Sequence, residues 1–280
     1  MKTLYACDLD GTLLRSDKTI SDFTRETINT FVEHGGCFCY ASARSYITAK
    51  AVTKGLDCPF PAISYNGTFV RDNKDDRMLI KNTFDQSTAR SIIKAAAERG
   101  VYPVVYSLTD DREKYFYIPD KLSEEHMRFQ NSRKGDIRDT PVDTVEGLMQ
   151  GEIYYLSFID SPKRLLPLYD IFKSMCRCLY QRDTYEDYQW LELMPEGATK
   201  ANAVKAVAQM LGCERIVSFG DGINDIDMFK ISDLSLAVAN GEPEAKNTAD
   251  QVIASNDEDG VAKWLEKVMR CGMANYLACT

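Results

Sequence analysis

Histidine and tryptophan are scarce in this 280-residue chain, with two of each. With only His34 and His126 to draw on, a zinc centre or a histidine-based catalytic group has little to build from. The nine cysteines include no C-x-x-C pair, only the C-x-C pairs Cys37/Cys39 and Cys176/Cys178 within apolar segments. They read as reduced thiols of a cytoplasmic protein, most buried as small apolar residues. No apolar run approaches the ~20 residues of a membrane span. Met1-Lys2 leads straight into a strand, so no signal peptide is expected. Runs of Lys and Arg are also missing, and the net charge is -8, which argues against nucleic-acid binding. There are no internal repeats and no linker rich in Pro, Gly or Ser. What remains is a composition of globular type, 44% apolar and 27% charged, long enough for one large domain or two.

The chain is organised around its start. Residues 3–7 form a short, mostly apolar run that reads as a buried strand. It ends in Asp8-Leu9-Asp10-Gly11-Thr12-Leu13-Leu14. In extended backbone, residues i and i+2 point the same way, roughly 6.5 Å apart. Asp8 and Asp10 can therefore share one site while Leu9 packs elsewhere, and Gly11 lets the backbone turn close to a ligand.

Strand and helix then alternate. Ser21 is placed to cap a helix to about residue 33, with Ile28, Phe31 and Val32 inward. Residues 37–41 form a strand ending in Ser42-Ala43-Arg44, followed by a helix to about residue 54. Residues 62–65 form a third, ending in Asn66-Gly67. This pattern predicts a doubly wound parallel sheet with its site beyond the carboxyl ends of the strands. The texture changes near Thr83. A helix over 85–99 and strands near 101–107, 114–118, 153–159 and 175–180, with a helix over 163–172, predict an inserted α+β domain lying over the site. The expected boundaries are 1–84 for the first part of the core, 85–188 for the insertion and 189–280 for the second part. Hinges are expected at 83–85 and 187–191.

The opening pattern is read as returning at residues 191–195. Thr199 caps a helix over 200–211, residues 215–219 form a strand, and Gly220-Asp221-Gly222-Ile223-Asn224-Asp225 leads into a short helix. Strands near 234–238 and 251–254 and an amphipathic helix over 260–269, with Val261, Trp264, Leu265 and Val268 inward, complete the chain.

Asp8-Leu9-Asp10-Gly11-Thr12 resembles the first motif of the haloacid dehalogenase-like (HAD) hydrolases, most of which are Mg-dependent phosphatases. Ser42-Ala43-Arg44 resembles their second motif, with alanine where glycine is usual. Lys200 after Gly197-Ala198-Thr199 resembles the third, in preference to Lys205, and Gly220-Asp221-Gly222-Ile223-Asn224-Asp225 resembles the fourth. The resemblance spans essentially the whole chain. The large insertion, Asn66-Gly67 and the ending from Asn256 to Ala262 are similar to the Cof-like subgroup with its type IIB cap.

Asp8, Asp10, Asp221 and Asp225 would bring up to four negative charges together against one lysine. A phosphate dianion would be repelled from such a site. A divalent cation resolves this, and oxygen-only ligands with a phosphate point to Mg²⁺. The resemblance implies that Asp8 is the nucleophile and forms an aspartyl-phosphate, and that Asp10 is the general acid, then base. It implies that Mg²⁺ is held by Asp8, the carbonyl of Asp10 and Asp221, with Asp225 behind them or reached through water. Ser42, Lys200, Asn224 and Gly11 are expected at the phosphate, and Arg44, Asn66 and Gly67 at the rest of the substrate. The expected activity is hydrolysis of small phosphorylated metabolites, sugar phosphates or cofactor phosphates. A phosphomutase of the same superfamily and a phosphoaspartate signalling or binding protein remain alternatives. The expected state is a monomer or weak homodimer.

Overall fold

A computed structural model describes residues 1–110, 112–182 and 188–271. The chain divides into two compact units, Asn82–Gly197 and the residues on either side of it.

In the first unit, β1 (Thr3–Cys7), α1 (Asp22–Glu33), β2 (Cys37–Tyr40), α2 (Tyr46–Val52), β3 (Ala62–Ser64), β4 (Phe69–Arg71) and β5 (Met78–Lys81) precede the insertion. The inserted unit contains α3 (Gln86–Ala97), β6 (Val104–Thr109), β7 (Arg112–Tyr117), α4 (Glu124–Ser132), β8 (Asp139–Pro141), β9 (Glu152–Asp160), α5 (Pro162–Phe172), β10 (Arg177–Arg182) and β11 (Gln189–Met194). The first unit resumes with α6 (Lys200–Leu211), β12 (Arg215–Gly220), α7 (Ile226–Lys230), β13 (Leu234–Val238), α8 (Pro243–Thr248), β14 (Gln251–Ile253) and α9 (Gly260–Cys271).

The first unit is the expected doubly wound fold. Its parallel sheet runs β14-β13-β12-β1-β2. Alternation along β1 sends Tyr5 and Cys7 into a core with Phe31 of α1 and Trp264 of α9. Leu4 and Ala6 point the other way, onto Ala203, Val204 and Val207 of α6. The Tyr5 ring meets Phe31 edge-on at 4.9 Å. With both faces covered, the strands can be almost wholly apolar. Chain order moves outward from β1 to β2 on one side and through β12, β13 and β14 on the other. The carboxyl ends of β1 and β12 thus flank the crevice where such folds place ligands.

Two features differ from the sequence reading. β3 joins the parallel sheet only through a bridge from Ala41 to Ile63. It then pairs antiparallel with β4, and β4 with β5, strands that the sequence reading left out. Residues 189–194, assigned to the second part of the core, belong to the insertion, because β11 pairs along its length with β9 and β10. The division falls at 81/82 and 197/198 instead of 84/85 and 188/189. The expected hinge at 187–191 begins at a residue outside the described ones, as do the last nine residues of the expected second core segment.

The inserted unit is built on a sheet of order β10-β11-β9-β6-β7-β8, antiparallel except for β7 with β8. Val105, Phe116, Leu156, Phe158, Leu191 and Leu193 pack against α3 and α5. The alternate residues face α4, where Phe129 meets Trp190 edge-on at 4.9 Å. There Arg133 donates to the Tyr106 hydroxyl at 2.9 Å and lies over the Tyr115 ring. The sequence reading gave no helix at α4, because its buried residues are His126 and Gln130 and no apolar period announces it. Among the described residues, no helix is long and apolar enough to cross a membrane.

Candidate active site

The strand ends of the first unit bring together most of the residues singled out from sequence. Asp8 follows β1, and its backbone N–H donates to the Phe219 carbonyl of β12 at 3.0 Å. Asp8 is 5% exposed. Lys200 enters from the first turn of α6, whose start is set by Thr199 accepting from the N–H of Asn202 at 2.9 Å. Its Nζ donates to Asp8 Oδ1 at 2.5 Å and to Asp225 Oδ1 at 2.8 Å. Lys205 is exposed, so the sequence choice between the two lysines agrees with the burial.

Asp225 has no exposure. Its second oxygen accepts from the backbone N–H groups of Asp221 and Gly222, both at 3.0 Å. It therefore holds Lys200 on one side and shapes the 220–225 loop on the other. Asp221 accepts from the Thr12 hydroxyl at 2.8 Å. Gly11 is required here: its φ is +78°, and a Cβ would sit 2.3 Å from Asp221 Oδ2.

Carboxylate oxygens of Asp8, Asp221 and Asp225 lie within 4.8 Å of one another. Burial, more than any neighbour, raises the Asp8 carboxyl well above its usual range; Lys200 opposes this, and the charges of Asp225 and Asp221 add to it. Burial and then the Asp225 charge push Asp221 up to about 6. For Lys200, burial works to lower the ammonium's pKa, but the charges of Asp225 and Asp8 and its hydrogen bonds outweigh burial and hold it above the usual lysine range. Three carboxylates against one ammonium leave an excess of negative charge in a nearly closed space. That donor set, oxygen only and anionic, fits a hard divalent cation.

Asp10 is not part of this cluster. Arg44, expected on the substrate side, grips it with two bonds, Nε to Oδ2 at 2.6 Å and Nη2 to Oδ1 at 2.5 Å. Ser42 is wholly buried, and its hydroxyl oxygen accepts from the Arg44 N–H at 3.1 Å. Asn66 donates its backbone N–H to the Ser42 carbonyl at 2.9 Å and accepts from Asn224 Nδ2 at 3.2 Å. Among the described residues its own Nδ2 is buried without a hydrogen-bond partner, a donor held ready beside the cluster. Gly67, expected on the substrate side, has a packing task in the fold. At φ +99° its Cβ position lies 2.1 Å from the Thr199 carbonyl oxygen, so only glycine lets this turn seat against the start of α6.

The sequence reading passed over Asn240. Its Nδ2 donates to the Gly11 carbonyl at 2.7 Å, and its Oδ1 accepts from the Asn256 N–H at 3.0 Å. Asn256 in turn donates to the Leu14 carbonyl at 2.9 Å. The signal was available: Asn240 lies two residues past β13, another polar residue at a parallel strand's carboxyl end. Thr12 was quoted within its motif but given no role.

The family model described as haloacid dehalogenase-like hydrolase matches residues 5–265. A Bacillus subtilis protein, the 5-amino-6-(5-phospho-D-ribitylamino)uracil phosphatase YitU, is 27% identical over 94% of this chain and 96% of its own. A second from that organism, YwtE, carries the same activity name and is 27% identical over 94% and 97%. Among solved structures, a Thermotoga maritima protein superposes with a TM-score of 0.76 at 26% identity, covering 95% of this chain and 97% of its own. A Eubacterium rectale structure reaches a TM-score of 0.79 at 20% identity, over 95% and 98%, a likeness of fold. With that family match over nearly all its length and these residues gathered at the ends of β1, β2 and β12, the chain belongs to the haloacid dehalogenase-like hydrolases, as a Cof-like enzyme of phosphatase type.

Proposed function

We propose that this enzyme is a Mg²⁺-dependent phosphatase of small phosphorylated metabolites that works through an aspartyl-phosphate on Asp8. The observation that carries the reading is the buried contact of Asp8 with Lys200 inside the carboxylate cluster. A carboxylate placed this way has one oxygen oriented by an ammonium and is shielded from water, as a covalent nucleophile needs. Lys200 and the Ser42 hydroxyl bind phosphoryl oxygens where charge gathers in the transition state, and Asn66 Nδ2 and Asn224 add donors. Asp10 protonates the leaving alkoxide and then takes a proton from the attacking water. Arg44 must release one of its oxygens for each step, which makes Arg44 a positioning group for the acid. Mg²⁺ would be held by Asp8, Asp221 and the Asp10 carbonyl, with Asp225 behind them; when bound it offsets the carboxylate charge against the substrate dianion.

The names of the Bacillus subtilis relatives suggest a phosphorylated sugar alcohol joined to a pyrimidine as a substrate, within the sugar- and cofactor-phosphate class. The test is phosphate release from a panel headed by that compound, with Mg²⁺, with chelator and with Asp8→Asn. The expected result is release that needs Mg²⁺ and falls about 10³-fold or more in the variant. Release from no substrate, nor from a generic aryl phosphate, rejects the reading. Activity that appears only with a bisphosphate activator moves it to a phosphomutase.

A further inference from the structure

Away from the carboxylate cluster, the inserted unit holds two thiols in contact. Cys176 lies in a bend just before β10, and Cys178 is the second residue of that strand. Their sulfurs are 3.9 Å apart. Both line a surface cavity of about 380 Å³, with Lys173, Arg177 and Glu196 around it. The other C-x-C pair, Cys37 and Cys39, is buried in β2 within the core shared with α6.

We propose that Cys176 and Cys178 form a dithiol–disulfide site that is oxidised by small organic disulfides of the glutathione class entering through this cavity.

The geometry allows the bond. Cys176 and Cys178 are separated by one residue; full extension would put their Cα atoms about 6.5 Å apart, so with the bend at Cys176 they stay within the ~6.8 Å that a disulfide can span. The sulfurs must close from 3.9 Å to about 2.05 Å. The backbone that must give lies at the edge of the sheet: Cys176 is outside the strand, and among the described residues β10 pairs only with β11. Such a short ring stores strain, so the bond should be readily reduced. The contact with Cys178, followed by burial, holds the Cys176 thiol above its usual range. Cys178, the more exposed of the two residues, meets the oxidant first. It attacks one sulfur of the disulfide, the S–S bond breaks, and one thiolate leaves and takes up a proton. Cys176 then attacks Cys178 Sγ, and the second small thiol departs with the electron pair and a proton. Two protein thiols are oxidised and one small disulfide is reduced to two thiols.

The experiment is titration of the whole protein with oxidised and reduced glutathione, followed by acid quench, trypsin digestion and mass spectrometry. Trypsin cuts after Arg177, so the bond leaves fragments 174–177 and 178–182 joined, with two hydrogens lost, until dithiothreitol separates them. Exposed Cys271 is the internal control for thiol reactivity. In Cys176→Ser the glutathione should remain on Cys178; in Cys178→Ser, Cys176 should stay free. If Cys271 is glutathionylated while the two fragments separate unmodified in the wild type, the proposal fails. It also fails if glutathione stays on wild-type Cys178 without ring closure.

Discussion

In the first unit the buried charges are partnered with one another: Lys200 bridges Asp8 and Asp225, and Asp225 holds two backbone N–H groups. The inserted unit also buries a paired charge, Arg138 on Asp136 and Glu113, but several of its buried neutral polar groups have no partner among the described residues. His126 Nε2, both amide atoms of Gln130 and Ser157 Oγ are of this kind. The first arrangement is costly to desolvate and holds only while every member is in place. The second costs less per group, but each group resists gaining a charge. The units should therefore respond differently to removal of a partner, and His126 of the inserted unit and Asp221 of the first should respond in opposite directions to acid.

The largest effect on stability is expected at Lys200. Lys200→Met leaves Asp8 and Asp225 unpaired in a closed space and should lower stability by about 3–5 kcal/mol, read by denaturant unfolding in chelator. An unchanged midpoint would mean that the two carboxylates do not share the ammonium. Gly67→Ala should follow, at about 2 kcal/mol or more, because the Cβ would strike the Thr199 carbonyl and φ is +99°. Its activity should fall as well, since the displaced carbonyl begins the helix that carries Lys200.

The acid response separates one buried group of each unit by sign. Burial, and then the Arg133 charge, push His126 from 6.5 down to about 3. Between those values the unfolded chain holds a proton that the native state refuses. Stability is then complete above pH 6.5 and is lost on acidification, by up to about 1.4 kcal/mol per pH unit. Asp221, raised from 3.8 to about 6, does the reverse in chelator-treated protein: the native state holds the extra proton, so its contribution improves as pH falls toward 4. Hydrogen exchange at pH 6.5 and 5.0 should show faster opening of α4 and β9 at the lower pH, without that loss in β1 and β12. His126→Gln should flatten the first trend. Equal trends in both units would break the comparison. The smallest effect is expected at Asn240→Ala, about 1 kcal/mol of stability. There kcat should fall about tenfold with KM little changed, since the Gly11 turn loses its tether.

Much of the first unit was legible because its signals are local. Ser21 and Thr199 each cap the helix expected of them, since a cap is decided within about four residues. The motif residues Asp8, Ser42, Asp221 and Asp225 could be placed because parallel strands gather their carboxyl ends on one edge. The pairing of β11 could not be read, since a strand's sequence names neither its neighbour nor its sheet. The helix α4 stayed hidden for another reason: its inward residues are polar, so hydrophobic period had nothing to report.

The sequence alone determined the doubly wound class, the helix starts at Ser21 and Thr199 and the residue types that gather at the strand ends, because these follow from periodicity, capping and alternation within a few residues. Tertiary structure alone decided that Arg44 holds Asp10, that Gly67 seats against Thr199 and that Asn240 tethers Gly11. Each is a contact whose distance depends on the packing of separate elements, and no spacing along the chain encodes it.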